Sequence, residues 1–251
     1  MNRWVNRVAV ITGASSGIGA ASVKDLVAKG MIVVALARRE NRLQELKAQL
    51  PEDQAKRFYY RVCDIAVEQQ VIETFAWIDQ ELGGADVLVN NAGIVRNNVF
   101  LVDADNGKAL REILDTNVLG VSWCTREAFQ SMQRRKVDDG HIVIVNSIAG
   151  HHVPIVPHVS MNMYPSSKYA ITAMTEVLRQ EFLAKGSKTK ITSISPGAVD
   201  TEIIDRDRLT GLGNFPMLRS QDVADAITYC IQTPPHVQIH ELTIKPIGET
   251  F

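Results

Sequence analysis

Six Val- and Ile-rich runs of five or six residues alternate with longer helical stretches, and this alternation restricts the fold more than any other feature. The runs are residues 7–12, 32–37, 58–63, 86–90, 141–146 and 190–195, and a seventh apolar run, 238–244, follows the last helical stretch. Short continuous apolar segments bounded by turn residues read as strands buried on both faces. The intervening segments 18–29, 42–50, 67–82, 108–136, 165–185 and 221–232 read as helices. Strands joined through helices need right-handed crossovers, and these produce a parallel sheet covered on both sides. The sequence therefore predicts one α/β domain over residues 1–251, with a doubly wound parallel sheet of about seven strands.

Composition removes several function classes. Hydrophobic residues make up 45% of the chain and charged residues 22%, with a net charge of −1, so no basic excess points to nucleic acid or an anionic membrane. Cys63, Cys124 and Cys230 are far apart and lack metal-ligand spacing. Such a sparse, odd set fits unpaired core thiols in a reducing compartment, and no metal is expected. No apolar run is long enough for a membrane span and residues 1–7 are too polar for a signal peptide, so a cytoplasmic protein is expected.

The first strand leads into Gly13-Ala14-Ser15-Ser16-Gly17-Ile18-Gly19 and then a helix. Glycines let a backbone approach a ligand closely, and the N–H groups of a helix N-terminus suit a pyrophosphate. The spacing is G-x-x-x-G-x-G, a variant of the usual dinucleotide fingerprint. The second strand ends Leu36-Ala37-Arg38-Arg39, with no acid to hold a ribose 2′-hydroxyl. Two guanidinium groups there suit a 2′-phosphate, which points to NADP(H). Asp64, after the third strand, is placed to accept from an adenine amino group, and equally to cap a helix. Asn90-Asn91-Ala92-Gly93 follows the fourth strand, where small and amide residues admit a nucleotide or form a plain turn.

Tyr164 and Lys168 are four apart in a helical stretch and so share a face. An ammonium beside a phenol favours the phenolate, which brings a group of ordinary pKa about 10 towards useful acid–base catalysis.

Together, Gly13–Gly19, Asp64, the Asn90–Gly93 segment, Asn117, Ser147, Tyr164-Pro165-Ser166-Ser167-Lys168 and Pro196-Gly197 with Thr201 resemble the short-chain dehydrogenase/reductase family in order along the whole chain. That resemblance implies a Rossmann fold and an NADP(H)-dependent oxidoreductase. It implies Tyr164 as general acid/base, Lys168 lowering its pKa and holding nicotinamide ribose hydroxyls, Ser147 binding the substrate oxygen, and Asn117 holding a proton-relay water. It adds Ile18, Ile65, Pro196, Gly197, Val199 and Thr201 to the cofactor contacts. A homodimer or homotetramer is also implied, with the long helices 108–136 and 165–185 as assembly surfaces.

Ser147 and Tyr164 are seventeen positions apart, a few more than the family pattern, so the intervening segment must loop out. Val153, Ile155, Val156, Val159, Leu209, Leu212, Phe215 and Met217 are expected to form an apolar substrate wall, and segment 201–218 is expected to be a lid. The expected substrate is an apolar alcohol or carbonyl: an isoprenoid alcohol such as farnesol or, alternatively, a steroid or a dicarbonyl. A cofactor-binding regulator without catalysis is a remote alternative, because the Ser, Tyr, Lys and Asn set is intact.

Overall fold

A computed structural model describes residues 1–97, 99–155, 160–204 and 216–249. Its centre is a parallel sheet built from β1 (Val8–Thr12), β2 (Ile32–Ala37), β3 (Phe58–Val62), β4 (Val87–Asn90), β5 (His141–Val145), β6 (Lys190–Pro196) and β7 (Glu241–Ile244). The spatial order is β3-β2-β1-β4-β5-β6-β7. β1 pairs with β2 from Val8 against Ile32, and with β4 from Ala9 against Val87.

Alternate residues of the same strand feed opposite layers. Ala9 and Ile11 pack with Val23 and Leu26 of α1 (Gly17–Ala28) and Val223 and Ile227 of α8 (Ser220–Gln232). Val8 and Val10 join a second cluster that includes Phe75 of α4 (Glu68–Leu82), Cys124 of α6 (Val121–Arg134) and Ile171 of α7 (Tyr164–Ala184). Burial on both faces is why the central strands are continuous apolar runs without polar alternation. All three cysteines are buried, and burial raises each thiol pKa, that of Cys230 to about 11. No helix among the described residues is long and apolar enough to cross a membrane.

Three expectations need correction. β3 lies at the sheet edge and is half exposed, with Val62 at 50% accessibility, because it has a partner on one side only. The expected helix 108–136 is three pieces: α5 (Gly107–Leu114), a π-helical turn over Asp115–Gly120, and α6. The last strand begins at Glu241 rather than 238. The short helices α2 (Glu40–Ala48) and α3 (Glu52–Ala55) complete the crossover from β2 to β3, and α3 was not anticipated.

Candidate active site

The strand order reverses between β1 and β4, and ligands of open α/β sheets bind in the crevice that such a reversal opens at the carboxyl ends. A cavity of about 420 Å³ lies there. It runs past Gly13, Ser15, Ser16, Gly17 and Ile18, reaches Arg38 and Arg39 beyond β2, and includes Asp64, Ile65 and Asn91 to Gly93. Its other lining includes Ser147, Tyr164, Lys168, Pro196, Gly197, Val199 and Thr201.

Ser16 is the N-cap of α1 but makes no side-chain bond to the helix, so the first-turn N–H groups on Gly17 and Ile18 are left for an anion. Asn91 fixes the turn from the β4 side. Its Nδ2 donates to the carbonyls of Thr12 at 2.9 Å and Gly13 at 3.2 Å, while Thr12 Oγ1 accepts from the N–H groups of Asn91 and Ala92, both at 3.0 Å. Arg39 leans over the same turn: Nη2 donates to Ser15 Oγ at 2.9 Å and to Ser16 Oγ at 2.8 Å. Arg38 stays largely exposed, with its guanidinium 3.7 Å from the Asp64 carboxylate. A glycine turn at a helix N-terminus, flanked by two arginines, fits a dinucleotide that carries an extra phosphate on its adenosine ribose.

At the other end, Tyr164 opens α7 and Lys168 follows one turn later. Lys168 Nζ donates to the Val145 carbonyl at 3.0 Å and sits 5.7 Å from the centre of the Tyr164 ring. Burial lowers the Lys168 pKa from 10.5 to about 8. Burial also pushes the Tyr164 phenol above its ordinary value, and a hydrogen bond with Ser147 opposes that rise. In the chain alone desolvation outweighs the Ser147 bond, so the phenol lies above its ordinary value. Ser147 Oγ accepts from the Ala149 N–H at 3.1 Å.

Asn117 occupies the π-helical turn and is buried. Its Nδ2 donates to the Ile94 carbonyl at 3.0 Å and to Ser167 Oγ at 3.1 Å, and its Oδ1 accepts from the Ile94 N–H at 2.8 Å. Ser167 Oγ in turn donates to the Tyr164 carbonyl at 2.7 Å. The side chain thus ties the segment after β4 to the first turn of α7.

The sequence profile of the family described as short chain dehydrogenase matches residues 7–210. The chain belongs to that family. It is 51% identical over 251 residues, the full length of both chains, to the farnesol dehydrogenase of Aedes aegypti. It is 40% identical over 255 residues to dehydrogenase/reductase SDR family member 11 of Bos taurus, covering 98% of each. Among solved structures, the closed form of serine dehydrogenase complexed with NADP+ superposes with a TM-score of 0.85 at 28% identity, covering 97% of this chain and 96% of that one.

Most of the catalytic and cofactor residues singled out in this dehydrogenase's sequence line the one cavity, but Asn90, Gly19 and Asn117 do not, the last being turned to Ile94 and Ser167. Asn90 turns into the core, where its Nδ2 donates to Thr125 Oγ1 at 2.9 Å. Gly19 faces the turn itself: a Cβ there would collide with the Gly13 carbonyl and the Asn91 amide, so this glycine serves close packing rather than ligand contact. In the expected apolar wall, Val153 and Ile155 face outward, Ile155 at 87% accessibility, and Pro154 between them lines the cavity instead. Met217 is not among the lining residues. Val156, Val159, Leu209, Leu212 and Phe215 lie outside the described residues, as does most of the expected lid segment 201–218. Ile94, Val95, Ile148, Met161, Ile203 and Ile204 supply apolar lining that the sequence did not single out.

Two acids were also missed. Glu202 meets Arg39 Nη1 at 2.7 Å, and its position beside Thr201 was the only signal. The Glu249 side chain is almost fully buried, and its carboxylate accepts from the Ala198 N–H at 3.1 Å while packing against Gly197. No motif marks it.

Proposed function

We propose that this dehydrogenase uses NADP(H) to interconvert an apolar alcohol and its aldehyde or ketone, with Tyr164 as the proton donor and acceptor. The carrying observation is the convergence of Tyr164, Ser147 and Lys168 in the cavity that also contains the glycine turn and Arg38–Arg39. When bound, the cofactor supplies or accepts the hydride. Tyr164 gives its phenolic proton to the carbonyl oxygen during reduction and removes the alcohol proton during oxidation. The Ser147 hydroxyl accepts from Ala149 N–H, and its own hydrogen, which meets the Tyr164 phenol in the chain alone, turns to the substrate oxygen when substrate binds.

Lys168, with a pKa near 8, carries its charge at neutral pH and stabilises the phenolate left by proton transfer. Beyond its bond to Val145 it retains two N–H donors for the nicotinamide ribose hydroxyls. Both Asn117 side-chain donors are in use, so its backbone carbonyl is the better anchor for a relay water. Ser15, Ser16, Arg38 and Arg39 hold the phosphates, and Asp64 and Ile65 border the adenine.

The substrate reading is an isoprenoid alcohol such as farnesol. It is supported by full-length similarity to the Aedes aegypti farnesol dehydrogenase and by the apolar lining from Ile94 to Ile204. The test is turnover of farnesol, steroids and dicarbonyls with NADP(H) and with NAD(H). Farnesol oxidation favoured by NADP+ is expected. Activity confined to polar substrates, or equal use of both cofactors, would refute the corresponding half of the reading.

A further inference from the structure

We propose that Glu202 is a built-in competitor for the cofactor's 2′-phosphate: its carboxylate holds the guanidinium that the phosphate needs, and cofactor binding hands it over to Arg42. This inference rests on the NADP(H) reading above and assigns a selectivity role to a residue outside the glycine turn.

The geometry is that of a charge already in place. Arg39 directs Nε and Nη2 at Ser15 Oγ, at 3.2 and 2.9 Å, and Nη2 at Ser16 Oγ, at 2.8 Å. These bonds aim the guanidinium across the glycine turn. Its remaining edge, Nη1, meets Glu202 Oε2 at 2.7 Å. The other carboxylate oxygen, Oε1, is 3.7 Å from Arg42 Nη2, so a second cation stands ready one helical turn beyond the first. Arg39 and Arg42 hold the Glu202 pKa below the ordinary carboxylate range, so it is ionised throughout the neutral range. Arg39, Glu202 and the serines line the same cavity.

Both side chains of the Arg39–Glu202 pair are about half exposed, at 44% and 50%, and an exposed pair of this kind is weak. A phosphate monoester brings nearly two charges and three acceptor oxygens, so it displaces the carboxylate. It must do so against the repulsion of a fixed anion, and that cost falls chiefly on the cofactor that carries the 2′-phosphate. Glu202 thus lowers the affinity for NADP(H) more than that for NAD(H), and it keeps Arg39 charge-compensated and aimed before the cofactor arrives.

The test is calorimetric binding of 2′,5′-ADP and 5′-AMP, fragments that need no turnover, to the parent, Glu202→Gln and Glu202→Ala. Both variants should bind 2′,5′-ADP about fivefold more tightly, the upper end for an exposed pair, and 5′-AMP nearly unchanged. The gain should shrink as salt rises. Unchanged or weaker 2′,5′-ADP binding in both variants would overturn the competitor role and make Glu202 a residue that only positions Arg39. A parent that binds 2′,5′-ADP no better than 5′-AMP would instead overturn the NADP(H) reading itself.

Discussion

The buried ammonium of Lys168 should leave a signature in stability that is separable from catalysis. Its pKa falls from 10.5 to about 8, a drop of about 2.5 units, which at 1.36 kcal/mol per unit is about 3 kcal/mol. The sign follows from proton counting. Between pH 8 and 10.5 the unfolded chain holds a proton on Lys168 that the folded chain has lost, so stability rises with pH across that window. Below pH 8 both states are protonated and the folded protein bears the whole desolvation cost. Lys168→Met removes this dependence and also the 3.0 Å bond to Val145. The assay is urea unfolding of parent and variant, each in a Tyr164→Phe background that removes the adjacent phenol, at several pH values, with the difference taken at each so that titrations not coupled to Lys168 cancel. Parent minus variant should climb by about 3 kcal/mol from pH 7 to 10.5. A flat difference would show that the ammonium stays charged in the folded state, and a falling one would show that its pKa is raised; either refutes the reasoning.

Tyr164→Phe removes only a hydroxyl and should lower turnover by about 10²–10⁴-fold with cofactor affinity kept, measured by steady-state kinetics and equilibrium binding. Arg38→Ala should weaken NADP(H) by about 1.5–3 kcal/mol and leave NAD(H) unaffected, and an unchanged affinity ratio would remove Arg38 from the phosphate site. Gly19→Ala forces a methyl group onto backbone that cannot yield, so a loss of about 1–3 kcal/mol, visible as a melting temperature several degrees lower, is expected.

The central strands were legible because burial on both faces leaves little but apolar residues in them. β2 matches its expected span, 32–37, residue for residue. β3 misled because an edge strand keeps Val62 at the surface, and local composition does not report how many neighbours a strand has. The break in helix 107–134 was invisible because it coincides with a tertiary contact, Asn117 gripping Ile94, rather than with a local breaker. The cavity residues were mostly readable, since topology places the segment after each strand at one end of the sheet. Direction was not readable. Asn90 and Asn91 are adjacent, yet one faces Thr125 and the other faces the glycine turn.

Glu249, near the far end of the described chain, braces two residues of the cavity wall, Gly197 and Ala198. Its carboxylate fills the space that a side chain at position 197 would need, and it satisfies the N–H of the next residue. Positions 197 and 249 therefore form an epistatic pair. An alanine at 197 requires the Glu249 carboxylate to swing aside or shorten, and either change leaves the Ala198 N–H wanting a partner. In a chimera that takes everything after β7 from a relative, the two positions come from different parents. Restoring the matched residue at 249 in such a hybrid tests this contact separately from the substrate pocket.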